Sequence, residues 1–189
     1  EIVLVTGVQT CALPILSVPI SKENKLTPTP QSSTSFFETL RSPFLTTDLL
    51  DHSCAAPSTC APYLSSLAFT LNSTCALDLS RSNPTAQMAL TGLLAYPSLR
   101  TATCLKSSTG SYCFTDAITN STSDEDAYVY YLGVGHSLPA STKMTCNKCL
   151  KDVVGVFGAA AANRTAPVAA VYAERSEERR VGKECMESV

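Results

Sequence analysis

The sequence predicts an all-α fold, a small disulfide-stapled helical domain with long loops. Three observations support this prediction. Apolar residues recur at steps of three and four along several segments, which is the period of an amphipathic helix. An Asn-Pro pair stands where one of these helices would begin. Cysteines are dense for a chain of 189 residues, as in domains held together by disulfides.

Both ends of the chain are predicted to be foreign. Residues Arg175–Cys185 and Val5–Ile15 match the translations of two companion sequencing adapters over eleven residues each. Segments 1–15 and 175–189 are therefore interpreted as adapter-derived. On this interpretation the signal-like apolar run near the start and the basic cluster near the end are accidental. Cys11 and Cys185 then leave the cysteine count, and the true ends of the protein are missing.

Residues 16–34 are predicted to form a linker. The stretch from Ser17 to Pro30 is polar and Pro-rich and has no apolar period. Two origins stay open: a disordered linker, or a translated intron with its acceptor near Gln31. The remaining segment, 35–174, is predicted to be one cysteine-rich helical domain, truncated at both ends.

Composition excludes two classes of partner. The whole chain has a formal net charge of −2, so electrostatics gives it no affinity for nucleic acid or for an anionic membrane. The apolar run from Val153 to Ala162 is too short for a span that needs about twenty residues. The sequence thus predicts no nucleic-acid partner and no transmembrane span in this segment.

The first half of the domain reads as three helical segments. Ser35 to Leu50 carries a loose apolar stripe. From Cys60 to Cys75, apolar side chains fall on one face. Asn83 is a predicted N-cap, followed by Pro at the first helical position. Pro97 is expected to end that third helix.

The second half is less regular. A short helix from Ser98 to Leu105 is expected to deliver Cys104. One or two helical turns are expected around Phe114 to Ile118. Tyr128 to Leu132 fits either a strand or a helix. An amphipathic helix follows Cys146, and Pro167 begins a final short helix.

The cysteines predict an oxidising compartment and a disulfide framework. An odd number remains after the adapters are removed, which implies a free thiol, an intermolecular bond or a partner lost by truncation. Loss by truncation is the simplest account. A Gly-containing turn between Cys104 and Cys113 favours a bridge between these two residues. The disulfide candidates are Cys54, Cys60, Cys75, Cys104, Cys113, Cys146 and Cys149.

The Cys146-Asn-Lys-Cys149 motif admits two interpretations. A C-x-x-C can be a redox pair or half of a zinc site. No second pair of ligands and no βαβ setting accompanies it, so two structural half-cystines with separate partners are favoured. The sequence therefore predicts no metal and no cofactor.

Three Asn-x-Ser/Thr sequons agree with a secretory route: Asn72, Asn120 and Asn163 are the candidate N-glycosylation sites. Tyr128, Tyr130 and Tyr131 form a possible ligand-contact surface, since tyrosines beside carboxylates suit carbohydrate. Packing of these rings in the core is the favoured alternative. The acidic run 124–126 lacks the spacing of a calcium loop and is interpreted as a solvated loop.

Several spaced motifs together resemble a known family. The chain is similar to a cysteine-rich domain of unknown function found in secreted or surface-anchored fungal proteins, over about Ser35–Glu174. The motifs that carry the resemblance are Cys60-Ala-Pro-Tyr-Leu, Asn83-Pro84, Cys104-Leu105, Tyr112-Cys113-Phe114, Tyr128-Val-Tyr-Tyr-Leu132, Leu138-Pro139 and Cys146-Asn147 with Cys149-Leu150. Gly133-Val134-Gly135 departs from the expected Pro-containing loop. The resemblance implies a signal peptide, further cysteines on both sides and no catalytic residues.

We therefore expect a non-catalytic secreted or cell-surface glycoprotein module, with cell-wall glycan or a surface protein as partner. Two alternatives stay open. An enzyme would gather Asp116, Asp124 or Asp126 with His136 in a buried cluster. A thiol–disulfide redox protein would bond Cys146 to Cys149 in an accessible position.

Overall fold

The computed structural model describes residues 43–139 and 142–174, and these form a helical domain. No strand occurs among the described residues, where the one β-bridge joins Lys106 and Tyr112. The predicted all-α, disulfide-stapled fold is confirmed. The predicted adapter segments, the linker and residues 35–42 lie outside the described residues. The elements are α1 (Pro43–Cys54), α2 (Cys60–Thr74), α3 (Ala76–Ser80), α4 (Pro84–Thr103), α5 (Cys113–Thr119), a 3₁₀ helix (Asp124–Val134), α6 (Lys148–Ala160) and α7 (Pro167–Glu174).

Helix α4 is the central element, because it packs against α2 on one side and against the 3₁₀ helix and α6 on the other. Asn83 caps it as predicted, and its side chain accepts hydrogen bonds from the backbone N–H groups of Thr85 and Ala86 at 3.0 and 3.4 Å. The expectation that Pro97 ends the helix is wrong. α4 continues through Pro97 to Thr103, since packing on both sides outweighs one missing backbone hydrogen bond.

Helix α2 buries the predicted stripe. Cys60 and Leu64 are 1 and 2% exposed, and Ala68 is buried one turn further on. Cys60 and Leu64 pack with Tyr96 of α4 into a small hydrophobic cluster. The stripe therefore docks α2 on α4, as its three- and four-residue steps predict.

The main core surrounds the 3₁₀ helix, the element that the sequence left ambiguous between strand and helix. Val129, Tyr130 and Leu132 are all at most 2% exposed. Gly133 lies where this helix meets α4 and α6. A Cβ built there would stand 2.5 Å from Leu99 Cδ2 and 2.8 Å from Phe157 Cε1. The absence of a side chain is what allows this close approach.

Helices α6 and α7 complete the core. Asn147 caps α6 by accepting a hydrogen bond from the backbone N–H of Leu150 at 2.9 Å. Leu150, Val153 and Phe157 form its buried face, so the predicted amphipathic helix is confirmed. A Cβ built at Gly158 would lie 3.7 Å from Tyr172 Cε1 of α7, an ordinary van der Waals distance.

Candidate functional site

The first disulfide joins the C-terminal ends of α1 and α4. Cys54 bonds to Cys104 with a Cα–Cα distance of 5.7 Å. The guanidinium of Arg100 donates to the backbone carbonyls of Cys54 and Ala56 at 3.2 and 2.5 Å, so it satisfies the carbonyl groups at the end of α1. A covalent bond and a partly buried cation therefore hold the same junction.

The second disulfide corrects the predicted Cys104–Cys113 bridge, which is wrong. Cys113 bonds instead to Cys149 of α6, 36 residues away. The turn between Cys104 and Cys113 does bring the two segments together, because the N–H of Cys113 donates to the carbonyl of Leu105 at 2.9 Å. Each sulfur nevertheless turns to a different helix. Two cysteines that are close along a turn can form a disulfide only if their side chains also point toward each other.

The Cys146-x-x-Cys149 pair is not bonded to itself. Cys149 bonds to Cys113, and Cys146 is also disulfide-bonded, as is Cys60. The two cysteines of the motif thus have separate partners, which is the arrangement that the structural interpretation required. Cys75 departs from the list of disulfide candidates: it is a free cysteine, half-buried at the C-terminal end of α2.

Two of the three sequons are exposed. Asn72 lies on the outer surface of α2, and Asn163 lies between α6 and α7. The Asn163 side chain accepts from the N–H and hydroxyl of Thr165. Asn120 differs, because it is half-buried and its Nδ2 donates to Asp126 Oδ2 at 2.7 Å. Asn120 therefore has a structural contact that the other two sequons lack.

The three tyrosines do not form one surface. Tyr130 is 1% exposed and packs edge-on against Phe114, with 4.8 Å between ring centroids. Tyr128 is 36% exposed and contacts the half-buried Tyr131 at 6.1 Å, also edge-on. The core-packing alternative thus holds for Tyr130. Of the three tyrosines, only Tyr128 and Tyr131 are accessible enough to contact a ligand at the surface.

The acidic run begins the 3₁₀ helix, and its interpretation as a solvated loop is wrong for two residues. Asp126 is 8% exposed, and its second oxygen accepts from the backbone N–H of Thr145 at 2.6 Å. Glu125 accepts from the backbone N–H of Lys143. These carboxylates attach segment 142–146 to the 3₁₀ helix and so stabilise the fold.

The residues that an enzyme would gather do not form a buried cluster. Asp116, Asp124 and His136 are exposed, and Asp126 is the one buried member of the set. Both oxygens of Asp126 are already hydrogen-bonded. No group of three or more His, Cys, Asp or Glu side chains in 43–139 and 142–174 is arranged to hold a metal ion.

A cleft of about 480 Å³ lies between α5, the 3₁₀ helix and the start of α6. Buried Val129, Leu150 and Val153 form its apolar floor. The Cys113–Cys149 disulfide also lines it. A site of this volume can take a small molecule.

The polar side chains at the edge of this cleft were not predicted from the sequence. Ser107 Oγ lies 2.8 Å from both Thr109 Oγ1 and Ser111 Oγ, and Ser111 donates to Asp116 Oδ2 at 2.6 Å. The turn-forming composition of residues 107–111 was the available signal, but it predicts a loop and not a hydroxyl cluster.

Tyr130 is the aromatic residue in the described lining of the cleft. Its hydroxyl has no hydrogen-bond partner among the described residues, although the side chain is buried. Burial, and the negative charge of Asp116, raise the pKa of Tyr130 far above its ordinary value. The group therefore stays a neutral phenol that can donate or accept one hydrogen bond.

Of the helices described, none combines the length and the apolar character that a bilayer span requires. Neither the curated proteins nor the solved structures include a match to this chain. A family model does match, over residues 25–188, and its description is a domain of unknown function, DUF7729. Because this match covers most of the 189 residues and takes in every described helix, the chain belongs to the DUF7729 family.

Proposed function

We propose that the domain is a non-catalytic extracellular or cell-surface glycoprotein module of a fungus. The observation that carries the proposal is the oxidation state of its cysteines. Among the described residues every cysteine except Cys75 is in a disulfide. Such a framework persists in an oxidising compartment and is rare in the cytosol.

The exposed sequons support the same compartment. Asn72 and Asn163 are exposed on the surface, as a glycan acceptor must be. Asn120 is a poorer acceptor in this fold because its amide nitrogen is used by Asp126. A glycosylated, cross-linked surface resists proteolysis, which suits a protein exposed outside the cell.

The non-catalytic part of the proposal rests on the carboxylates. Asp126 is committed to two structural hydrogen bonds, and Asp124 and His136 do not line the cleft that Asp116 and Asp126 share. No nucleophile–base pair is thereby assembled from the candidates. A cell-wall glycan or a surface protein is the proposed partner, with Tyr128 and Tyr131 as the exposed aromatic pair.

Expression in two compartments tests the proposal. The full chain is produced behind a secretory signal in a eukaryotic host and, in parallel, in a reducing bacterial cytosol. We expect the secreted protein to lose mass on enzymatic deglycosylation and to carry glycan at Asn72 and Asn163, with N72Q and N163Q as matched controls. A chain that folds equally well with every thiol reduced, and that leaves both sequons empty when secreted, would contradict the proposal.

A further inference from the structure

The cleft has no role in the proposed function. The charged side chains that line it are predominantly negative. Its described lining includes the carboxylates of Asp116 and Asp126 and a single cationic side chain, Lys148. The ammonium group of Lys148 is paired with Asp152, one turn along α6. Negative charge at the cleft is therefore not balanced by a free cation.

The groups that remain available are mainly hydrogen-bond acceptors. Asp116 Oδ2 accepts from Ser111, and Oδ1 takes no hydrogen bond from a described residue. Tyr130, which is 1% exposed, lines the same cleft, and its hydroxyl has no hydrogen-bond partner in the described part of the chain. This hydroxyl can therefore accept a hydrogen bond from a molecule in the cleft.

We infer that the cleft binds a small organic cation, a primary ammonium group carried on a short alkyl body. The ammonium group donates to Asp116 Oδ1 and to the Tyr130 hydroxyl oxygen. The alkyl body covers Val129, Leu150 and Val153, which form the apolar floor. An ammonium group offers three donors and no acceptor, so it complements a site rich in acceptors.

Other small ligands fit less well. An anion meets two carboxylates and no unpaired cation, so its approach is unfavourable. A sugar needs an exposed aromatic face for its C–H groups, but the one aromatic ring in this cleft is the buried Tyr130. A neutral alcohol satisfies the hydroxyl but gains nothing from the charge of Asp116.

The experiment is an NMR titration of the ¹⁵N-labelled full chain with n-butylamine at neutral pH. The probes 1-butanol and butyrate have the same alkyl body with no charge and with negative charge. We expect butylammonium to shift the backbone signals of Asp116, Tyr130 and Leu150 at millimolar concentration. We expect 1-butanol to bind about tenfold more weakly, since a hydrogen bond to a charged group is lost, and butyrate not to bind.

Variants then assign the site. D116N removes the charge and is expected to weaken butylammonium binding about tenfold. Y130F removes one acceptor and is expected to weaken it several-fold while the fold stays intact, because the hydroxyl bonds to no described residue. D124N removes the same charge from an exposed residue outside the cleft lining and is the matched control, with unchanged affinity expected.

Any one of the following results would overturn the inference. The first is equal binding of butylammonium and 1-butanol, which would make the cleft merely apolar. The second is an affinity that D116N and D124N lower alike, which would indicate attraction to the overall charge. The third is glucose shifting the same signals more strongly than butylammonium, or no probe shifting them at all.

Discussion

Single residues fix how closely the helices approach, and Gly133 shows this most clearly. A methyl group at this position would overlap Leu99 and Phe157, which belong to the two helices packed on the 3₁₀ helix. Phe157 is fully buried and Leu99 is partly buried against the same core, so the Phe157 ring cannot move out into solvent. Packing there leaves no volume to spare.

We therefore expect Gly133→Ala to lower the free energy of unfolding by about 1–3 kcal/mol, the usual cost of overpacking. The matched control is Gly155→Ala. A Cβ at Gly155 meets nothing within 4 Å, and its helical position should make the change stabilising by about 0.5–1 kcal/mol. Chemical denaturation measures both. Equal effects of the two substitutions would contradict the crowding at Gly133.

Tyrosine burial gives a pH prediction at the same scale. Burial raises the pKa of Tyr130, and the hydrogen bond that Tyr112 donates to Asp51 at 2.7 Å raises the pKa of Tyr112. A raised pKa means that the folded state favours the neutral phenol. This stability is complete below the ordinary pKa of 10.0 and is lost as pH rises above it.

We expect the contribution of these two phenols to the free energy of unfolding to be constant from neutral pH to about pH 10 and to fall at higher pH. Denaturant melts at stepped alkaline pH, kept short to spare the disulfides, measure the effect. Tyr130→Phe should reduce the alkaline loss. A loss that is the same in Tyr130→Phe and Tyr112→Phe as in the parent chain would show that neither phenol causes it.

At the scale of elements, the sequence predicted what depends on local pattern. The α2 stripe, the Asn83 cap and the amphipathic α6 follow from spacing within one helix, and all three are present. Pro97 was misjudged because packing around α4 outweighs its local preference. The 3₁₀ helix was ambiguous, since its period of three matches neither the strand nor the α-helical pattern.

Asp126 links two elements that are distant in sequence. Its carboxylate accepts from Asn120 and from the backbone N–H of Thr145, and so joins the end of α5 to the approach of α6. We expect Asp126→Ala to cost about 2–3 kcal/mol, because two hydrogen bonds to a buried charge are lost. Asp124→Ala, at an exposed position of the same helix, is the control and should cost under about 0.5 kcal/mol. Thermal unfolding of the two variants distinguishes them, and similar losses would contradict the assigned role.

At the scale of the whole molecule, the two disulfides that join described residues to each other close two loops that follow one another along the chain. The first spans 50 residues and the second spans 36. Because neither loop contains the other, each restricts a different part of the unfolded chain. Each is expected to contribute about 3–4 kcal/mol by loss of unfolded-state entropy. For a domain of modest size this is a large share of the net stability.

The disulfide pairing and the cleft could not be predicted from the sequence. Both depend on how α1, α4, α5 and α6 come together, and spacing along the chain does not encode that. Cys104 and Cys113 flank a tight turn and still bond to Cys54 and Cys149. For Tyr130 the sequence left a contact surface and core packing open and favoured core packing, and its ring does pack against Phe114.

Disulfide mapping of the secreted full chain determines whether the proposed extracellular fold is held by the disulfides described above. Free thiols are blocked at acidic pH, the unreduced protein is digested, and the linked peptides are identified by mass spectrometry. We expect the links Cys54–Cys104 and Cys113–Cys149, with Cys75 carrying the thiol label. A Cys104–Cys113 or Cys146–Cys149 link, or label on Cys54 and Cys113, would contradict it.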